Sequence, residues 1–97
     1  MASKYTYSKR AAQQVASIYR EIYENWGSKL ADTYDKKISV AVAMLANNPD
    51  AGQNCDDIRE GYQRFEVGSH IIFYRKREND IFIVQIIHNR MDASRRL

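Results

Sequence analysis

Tyr62-Gln63-Arg64-Phe65-Glu66-Val67-Gly68-Ser69-His70-Ile71-Ile72-Phe73-Tyr74-Arg75 is the stretch on which the fold turns. Two runs rich in aromatic and β-branched residues flank Gly68-Ser69, a tight-turn pair, and the pattern predicts a β-hairpin. Glu78-Asn79-Asp80 is a second turn signal, and a third run of the same kind follows at Ile81–His88. The expectation is a meander of three antiparallel strands, Tyr62–Val67, His70–Arg77 and Ile81–His88. A two-residue turn makes odd positions of one strand share a face with even positions of the next. One face then collects Phe65, Val67, His70, Ile72, Tyr74, Ile81, Ile83 and Ile87. The other collects Tyr62, Arg64, Glu66, Ile71, Phe73, Arg75, Phe82, Val84, Ile86 and His88.

Upstream of the hairpin the period changes. Ala12, Val15, Tyr19, Ile22 and Trp26 recur at spacings of three and four, one face of an amphipathic helix. Ser8 is placed to cap its start and Gly27 to end it. A second stripe, Leu30, Tyr34, Ile38, Ala41 and Leu45, follows Ser28 as cap and stops at Asn47-Asn48-Pro49, because the residue before proline disfavours helix. Residues 8–47 read as an antiparallel helical hairpin, with a short strand over Ser3–Tyr7 before it. Asp50–Glu60 reads as an ordered polar loop, 61–88 as the sheet and 89–97 as a basic tail. The class is α+β, in one domain over 1–97. One helical hairpin covers one face of so small a sheet, so the second apolar face calls for the tail, a dimer mate or a different chain.

Composition sets the outer limits. The chain has 97 residues, 44% hydrophobic and 28% charged, which is ordinary globular material for one domain. The longest apolar run, Val40–Ala46, is far shorter than the ~18 residues of a membrane span. The start, Met1-Ala2-Ser3-Lys4-Tyr5, has no apolar export segment, and the single Cys55 forms no internal disulfide; both suit the cytoplasm. The net charge is +3. Residues 1–58 hold seven basic and seven acidic side chains, so the excess lies wholly in 59–97, with eight basic against five acidic.

No cofactor motif and no metal-ligand spacing is present: Cys55, His70 and His88 lie far apart, and the glycines are scattered. Cys55 sits beside Asp56 and Asp57, which raise a thiol pKa and argue against a nucleophile. The cluster with chemical promise is Arg64, Glu66, Arg75 and His88 on the second sheet face. Arginines beside a carboxylate and an imidazole can bind a phosphodiester and move protons, as metal-free RNA cleavage requires. The plainer reading is a cross-strand ion pair with a histidine at a strand end.

The segment Arg59-Glu60-Gly61-Tyr62-Gln63-Arg64-Phe65-Glu66-Val67-Gly68-Ser69-His70-Ile71-Ile72-Phe73-Tyr74-Arg75 resembles the middle of a RelE/ParE-superfamily toxin. Ile86-Ile87-His88-Asn89-Arg90-Met91-Asp92 resembles the ending of its ParE branch. The resemblance implies a strand, two helices and three strands. It implies a toxin of a type II toxin–antitoxin module, neutralised by a labile ParD-like or related antitoxin that wraps it. It also implies DNA gyrase as the poisoned target, with no reaction catalysed by the toxin and no sequence-specific nucleic-acid binding. On that footing Arg64, Phe73, Arg75, Phe82 and Val84 are expected to meet the antitoxin. His88, Arg90, Met91, Asp92, Arg95 and Arg96 are expected to meet the target, although His88 also fits a hydrogen-bonding role at the strand-to-tail turn.

The RelE-like branch cuts mRNA on the ribosome, and Arg64, Arg75 and His88 would be the catalytic groups here. Its members carry an arginine where this chain has Ile71, which cannot stabilise a pentavalent phosphate. A third reading is a toxin that keeps antitoxin binding and has lost its target.

Overall fold

Ser8 caps the first helix as its position foretells: its Oγ accepts from the Ala11 N–H at 2.9 Å. The computed structural model describes residues 5–91. Strand β1 spans Tyr5–Tyr7, helix α1 Lys9–Trp26 and helix α2 Ser28–Asn47. A single 3-10 turn at Pro49–Ala51 leads to a two-residue strand β2, Gln53–Asn54. Strands β3 (Tyr62–Val67), β4 (His70–Lys76) and β5 (Ile81–His88) follow. The five strands lie in the order β1-β5-β4-β3-β2, with β1 parallel to β5 and the other pairs antiparallel. The expected meander is therefore extended at both edges.

One residue, not a Gly-Ser pair, joins the helices. Gly27, at φ +94°, closes α1 through its N–H to Tyr23 O and accepts from Ala31 N–H, so Ser28 is already helical and does not cap. Such a φ is open to glycine and strained for other residues. The stripe on α1 is also offset from expectation. Ala11, Val15 and Ile18 face the core, whereas Ala12 is exposed. Trp26 is 71% exposed and Leu30 52%. The 18-residue α1 runs for about 27 Å, and at its far end Trp26 and, across the turn, Leu30 are left largely exposed.

The main core is sealed between the hairpin and one sheet face. Ile38, Val42 and Leu45 of α2 pack with Ile72, Tyr74, Ile81, Ile83 and Ile86. Tyr74, fully buried, accepts from Gly52 N–H and donates to Pro49 O, which ties the turn after α2 to the sheet.

Part of the second face is covered from within. Cys55 and Ile58 pack with Ile71, Phe73, Ile87 and Tyr62. Ile58 N–H and Arg59 N–H both bond to Cys55 O, so the segment makes one helical turn and sets these two side chains on one side. Asp56 closes the loop, its Oδ1 accepting from Gly61 N–H at 2.7 Å while Asn54 bonds it from the other flank. Those bonds hold the Asp56 carboxyl below the usual carboxylate range. The polar composition of Asp50–Glu60 conceals a lid, and the need for an outside cover on Ile71 and Phe73 is withdrawn.

A bulge in β5 changes the face assignment. Phe73 pairs with Gln85 and Tyr74 with Ile83, so Val84 is an extra residue on the strand. Up to Ile83 the alternation runs as expected; beyond it, the faces exchange. Ile86 joins the helix-side core and Ile87 the second-face cluster, the reverse of the sequence reading. His88 moves with Ile86 and stands directly opposite His70.

Candidate functional site

Two places on the described residues concentrate polar chemistry, one on each side of the sheet. On the second face Arg75 and Arg77 lie over the Phe82 ring, at 5.4 and 4.7 Å from its centroid. Register explains the group: Arg75 is paired with Phe82, and Arg77 is oriented by a bidentate bond to Asp80 across the turn. Arg64, half-buried, is paired with Phe73 on the same face. It lies near Cys55, whose thiol is pushed up chiefly by burial and by Asp57 and Asp56, with Arg64 pulling the other way. A buried thiol held in its neutral form is a packing group, not a nucleophile.

On the helix side, the ends of β4 and β5 meet α1 and α2. The His70 and His88 rings lie 5.3 Å apart, edge to face, and Tyr34 packs on His70 from α2. The Tyr34 hydroxyl accepts from Ser69 N–H at 3.0 Å and lies 2.6 Å from His70 Nδ1 and 3.2 Å from Val67 O. Burial, then the neighbouring His88, push His70 below the ordinary histidine value, while Glu21 pulls upward. His70 is thus neutral near pH 7. A cleft of about 360 Å³ opens beside the pair, walled by Gln14, Ser17 and Glu21 of α1 and by Met91.

The chain reverses after His88. Its carbonyl accepts from Met91 N–H at 3.0 Å and its Nδ1 accepts from Arg90 N–H at 3.1 Å. Asn89 N–H bonds to Ser69 O at 2.8 Å, which ties the exit of β5 to the β3–β4 turn. This is the hydrogen-bonding role that the strand-end position of His88 suggested.

The family description "ParE toxin of type II toxin-antitoxin system, parDE" matches residues 5–93. This chain belongs to the ParE toxin family. Toxin ParE1 of Mycobacterium tuberculosis is 38% identical over the full length of both chains. Toxin ParE1 of Caulobacter vibrioides is 32% identical over 92% of each. A chain of the chromosomal ParDE toxin–antitoxin system from P. aeruginosa has the same fold, with a TM-score of 0.77 over 90% of this chain and 96% of that one, at 19% identity.

For a ParE-family chain, the expected site residues fall into distinct places. Arg64, Arg75 and Phe82 do share the second face, with Arg75 exposed and Phe82 half-buried beneath two guanidinium groups. Phe73 is fully buried under Cys55 and Ile58, so it serves the core and cannot touch a partner on this surface. Val84 is half-buried at the bulge. His88 is on the opposite side of the sheet from Arg64 and Arg75, so the expected three-residue ribonuclease cluster does not assemble. Arg90 is exposed and Met91 is 44% exposed at the lip of the cleft; Asp92, Arg95 and Arg96 lie outside the described residues.

Three contributors were not expected from the sequence: Gln14, Ser8 in a second role, and Arg77. Gln14 Oε1 accepts from Ile86 N–H at 2.7 Å and its Nε2 donates to Gln85 Oε1 at 3.3 Å. Ser8 Oγ donates to Val84 O at 2.7 Å. Both serve the edge of β5 beyond the reach of three-residue β1, and although Ser8 is marked as a helix cap, no local pattern marks either of these bonds. Arg77 was also missed, although its two-residue spacing from Arg75 places it on the same face.

Proposed function

We propose that this chain is the toxin of a type II toxin–antitoxin pair that acts by binding and poisoning DNA gyrase, and that a ParD-like antitoxin neutralises it. The observation that carries a binding mode over a catalytic one is the Val84 bulge. It turns His88 to the helix side, away from Arg64 and Arg75. A phosphodiester held by the two arginines would have the sheet between it and the imidazole, so no proton could pass between them in one step. Ile71, where the RelE-like branch carries its arginine, is buried beneath Cys55 and Ile58.

The antitoxin reading is supported by the match to the toxin family of parDE modules and by the fold shared with a chain of the chromosomal ParDE system from P. aeruginosa. On this chain the antitoxin would meet Arg64, Arg75, Phe82 and Val84, a cationic surface with an aromatic floor that suits an acidic, partly apolar segment. The target would be met by the segment from His88 through Arg90 and Met91 into the basic tail. Gyrase acts on cytoplasmic DNA, and the toxin is proposed to work there. No helix among the described residues is long and apolar enough to cross a membrane.

Purified chain added to gyrase and relaxed plasmid is expected to block supercoiling or to trap cleaved DNA. Normal supercoiling at large toxin excess would refute the gyrase assignment. Mapping mRNA ends after induced expression separates the enzyme reading, since only a ribosome-dependent nuclease leaves codon-positioned cuts. Harmless expression without antitoxin, with the complex still forming, would identify a toxin that has lost its target.

A further inference from the structure

We propose that two copies of this chain pair through the outer face of α1, antiparallel, with Trp26 of each copy seated on Ala16 of the other. The pairing does not depend on the gyrase target and goes beyond it.

Helix α1 carries two stripes, and the fold buries one. Ala11, Val15 and Ile18 face the core. Ala12, Ala16, Tyr19, Tyr23 and Trp26 recur at spacings of four, three, four and three, the repeat of a coiled-coil seam. At about 3.6 residues per turn, that seam lies roughly a quarter turn away from the core stripe. Ala12, Ala16, Tyr23 and Trp26 are exposed and Tyr19 is half-buried; Leu30 extends the apolar patch across the Gly27 turn. A contiguous apolar seam left open on a small domain marks an interaction site.

The seam is organised before any partner arrives. The Tyr19 and Tyr23 rings stack with centroids 6.3 Å apart, and the Tyr19 hydroxyl donates to Asp32 of α2 at 2.6 Å. A groove of about 530 Å³ runs beside them, walled also by Ala16, Arg20 and Asp35. Side chains already held in one arrangement lose little freedom on association.

Shape and charge both name a second copy as the occupant. Turned antiparallel upon itself about a point near residue 21, the seam sets Tyr19 against Tyr23 and Ala16 against Trp26. The largest side chain on the face then meets one of the smallest, twice, as close packing between helices requires. Parallel pairing would instead set Trp26 on Trp26 and leave a gap at Ala16. On the flank of α1 away from α2, the antiparallel register brings Arg20 of one copy beside Glu24 of the other, and the reverse. Neither has an ion-pair partner among the described residues. Such reciprocity is the mark of a two-fold contact.

Tyr23 and Trp26 together expose roughly 300 Å² a copy. With Leu30 and the flanking residues the contact stays in the small class, below about 1,200 Å² in total, so association on the order of tens of micromolar is expected. The hairpin lies across the sheet from Arg75 and Phe82, and pairing leaves the proposed antitoxin face open.

Sedimentation of the purified full chain from about 1 μM to about 300 μM should pass from one copy to two. Over the same range Trp26, open to iodide in the single copy, should become shielded. Trp26→Glu should weaken association at least roughly thirtyfold, the loss expected of a tryptophan anchor. Arg20→Glu and Glu24→Arg should each weaken it roughly tenfold, because like charges then face one another. An equal mixture of those two variants should regain it, since the mixed pair carries only opposite charges across the seam. Circular dichroism checks that these exposed changes leave the fold intact. A single copy at every concentration overturns the proposal. So does association that ignores Trp26→Glu, or a mixture no stronger than its components. Shielding of Trp26 only when a ParD-like antitoxin is added would give the face to that partner and overturn self-pairing.

Discussion

Tyr34 on α2 packs its ring against Gly68 so closely that a Cβ at Gly68 would lie 2.7 Å from the ring. Gly68 also takes φ +57°, in the left-handed region that L side chains resist. The same tyrosine bonds Ser69 and contacts His70, so this single approach docks the β3–β4 turn onto the helical hairpin. Gly68→Ala should cost about 2–3 kcal/mol, part from the backbone and part from the clash. In a Tyr34→Ala background the same change should cost only about 1 kcal/mol, because the steric part is gone. Urea denaturation of the four proteins closes the cycle. Equal costs in both backgrounds would show that the ring contact is irrelevant.

Ser8 does two jobs at one junction, accepting from Ala11 N–H and donating to Val84 O. It links the start of α1 to the bulge in β5. Ser8→Ala should destabilise by about 1–2 kcal/mol, above what a surface serine would cost. Hydrogen exchange should show the loss at the first turn of α1 and near Val84 together. Loss at the helix end alone would mean that the bulge holds itself.

Leu45 and Trp26 offer a contrast between two residues that both belong to apolar stripes in the sequence. Leu45 is fully buried against the sheet, and Leu45→Ala should cost about 2–5 kcal/mol. Trp26 stands out at the hairpin tip, and Trp26→Ala should change stability by less than about 0.5 kcal/mol. Tryptophan fluorescence tests the same point: Trp26 is the sole tryptophan and should be quenched by iodide in the native state. A shielded, blue-shifted emission would contradict its exposure.

Arg64 and Arg75 are proposed to meet the antitoxin. Reversing both to glutamate should weaken the antitoxin complex by at least tenfold, with a reduced salt dependence of the remaining affinity. Isothermal titration at two salt concentrations measures both quantities. Unchanged affinity would remove the second face as the interface. Because Arg75 is exposed and Arg64 only half-buried, folding should survive, and circular dichroism checks that.

Much of the fold is legible locally. Gly68-Ser69 marks the hairpin, Asn48-Pro49 stops α2 and Ser8 starts α1, because turn and cap residues act on backbone within a few positions of themselves. The edges of the sheet were partly hidden. A two-residue strand such as β2 leaves no periodic signal, and Cys55 and Ile58 are two apolar residues in a polar stretch, too few to announce a lid. Of the candidate site, the arginine face was readable because β3 and β4 pair without irregularity from Tyr62–Arg75 to Val67–His70.

The amino-acid order by itself determined the helical hairpin, the meander, the cationic second half of the chain and the ParE character of the strands and their ending. Only the tertiary structure decided which way His88 points. Strand parity is a local rule, but a single extra residue reverses it, and that residue and the strand just after it are held by partners more than seventy positions away. Ser8 takes the Val84 carbonyl and Gln14 takes the Ile86 amide, bonds that exist only once α1 has packed against β5.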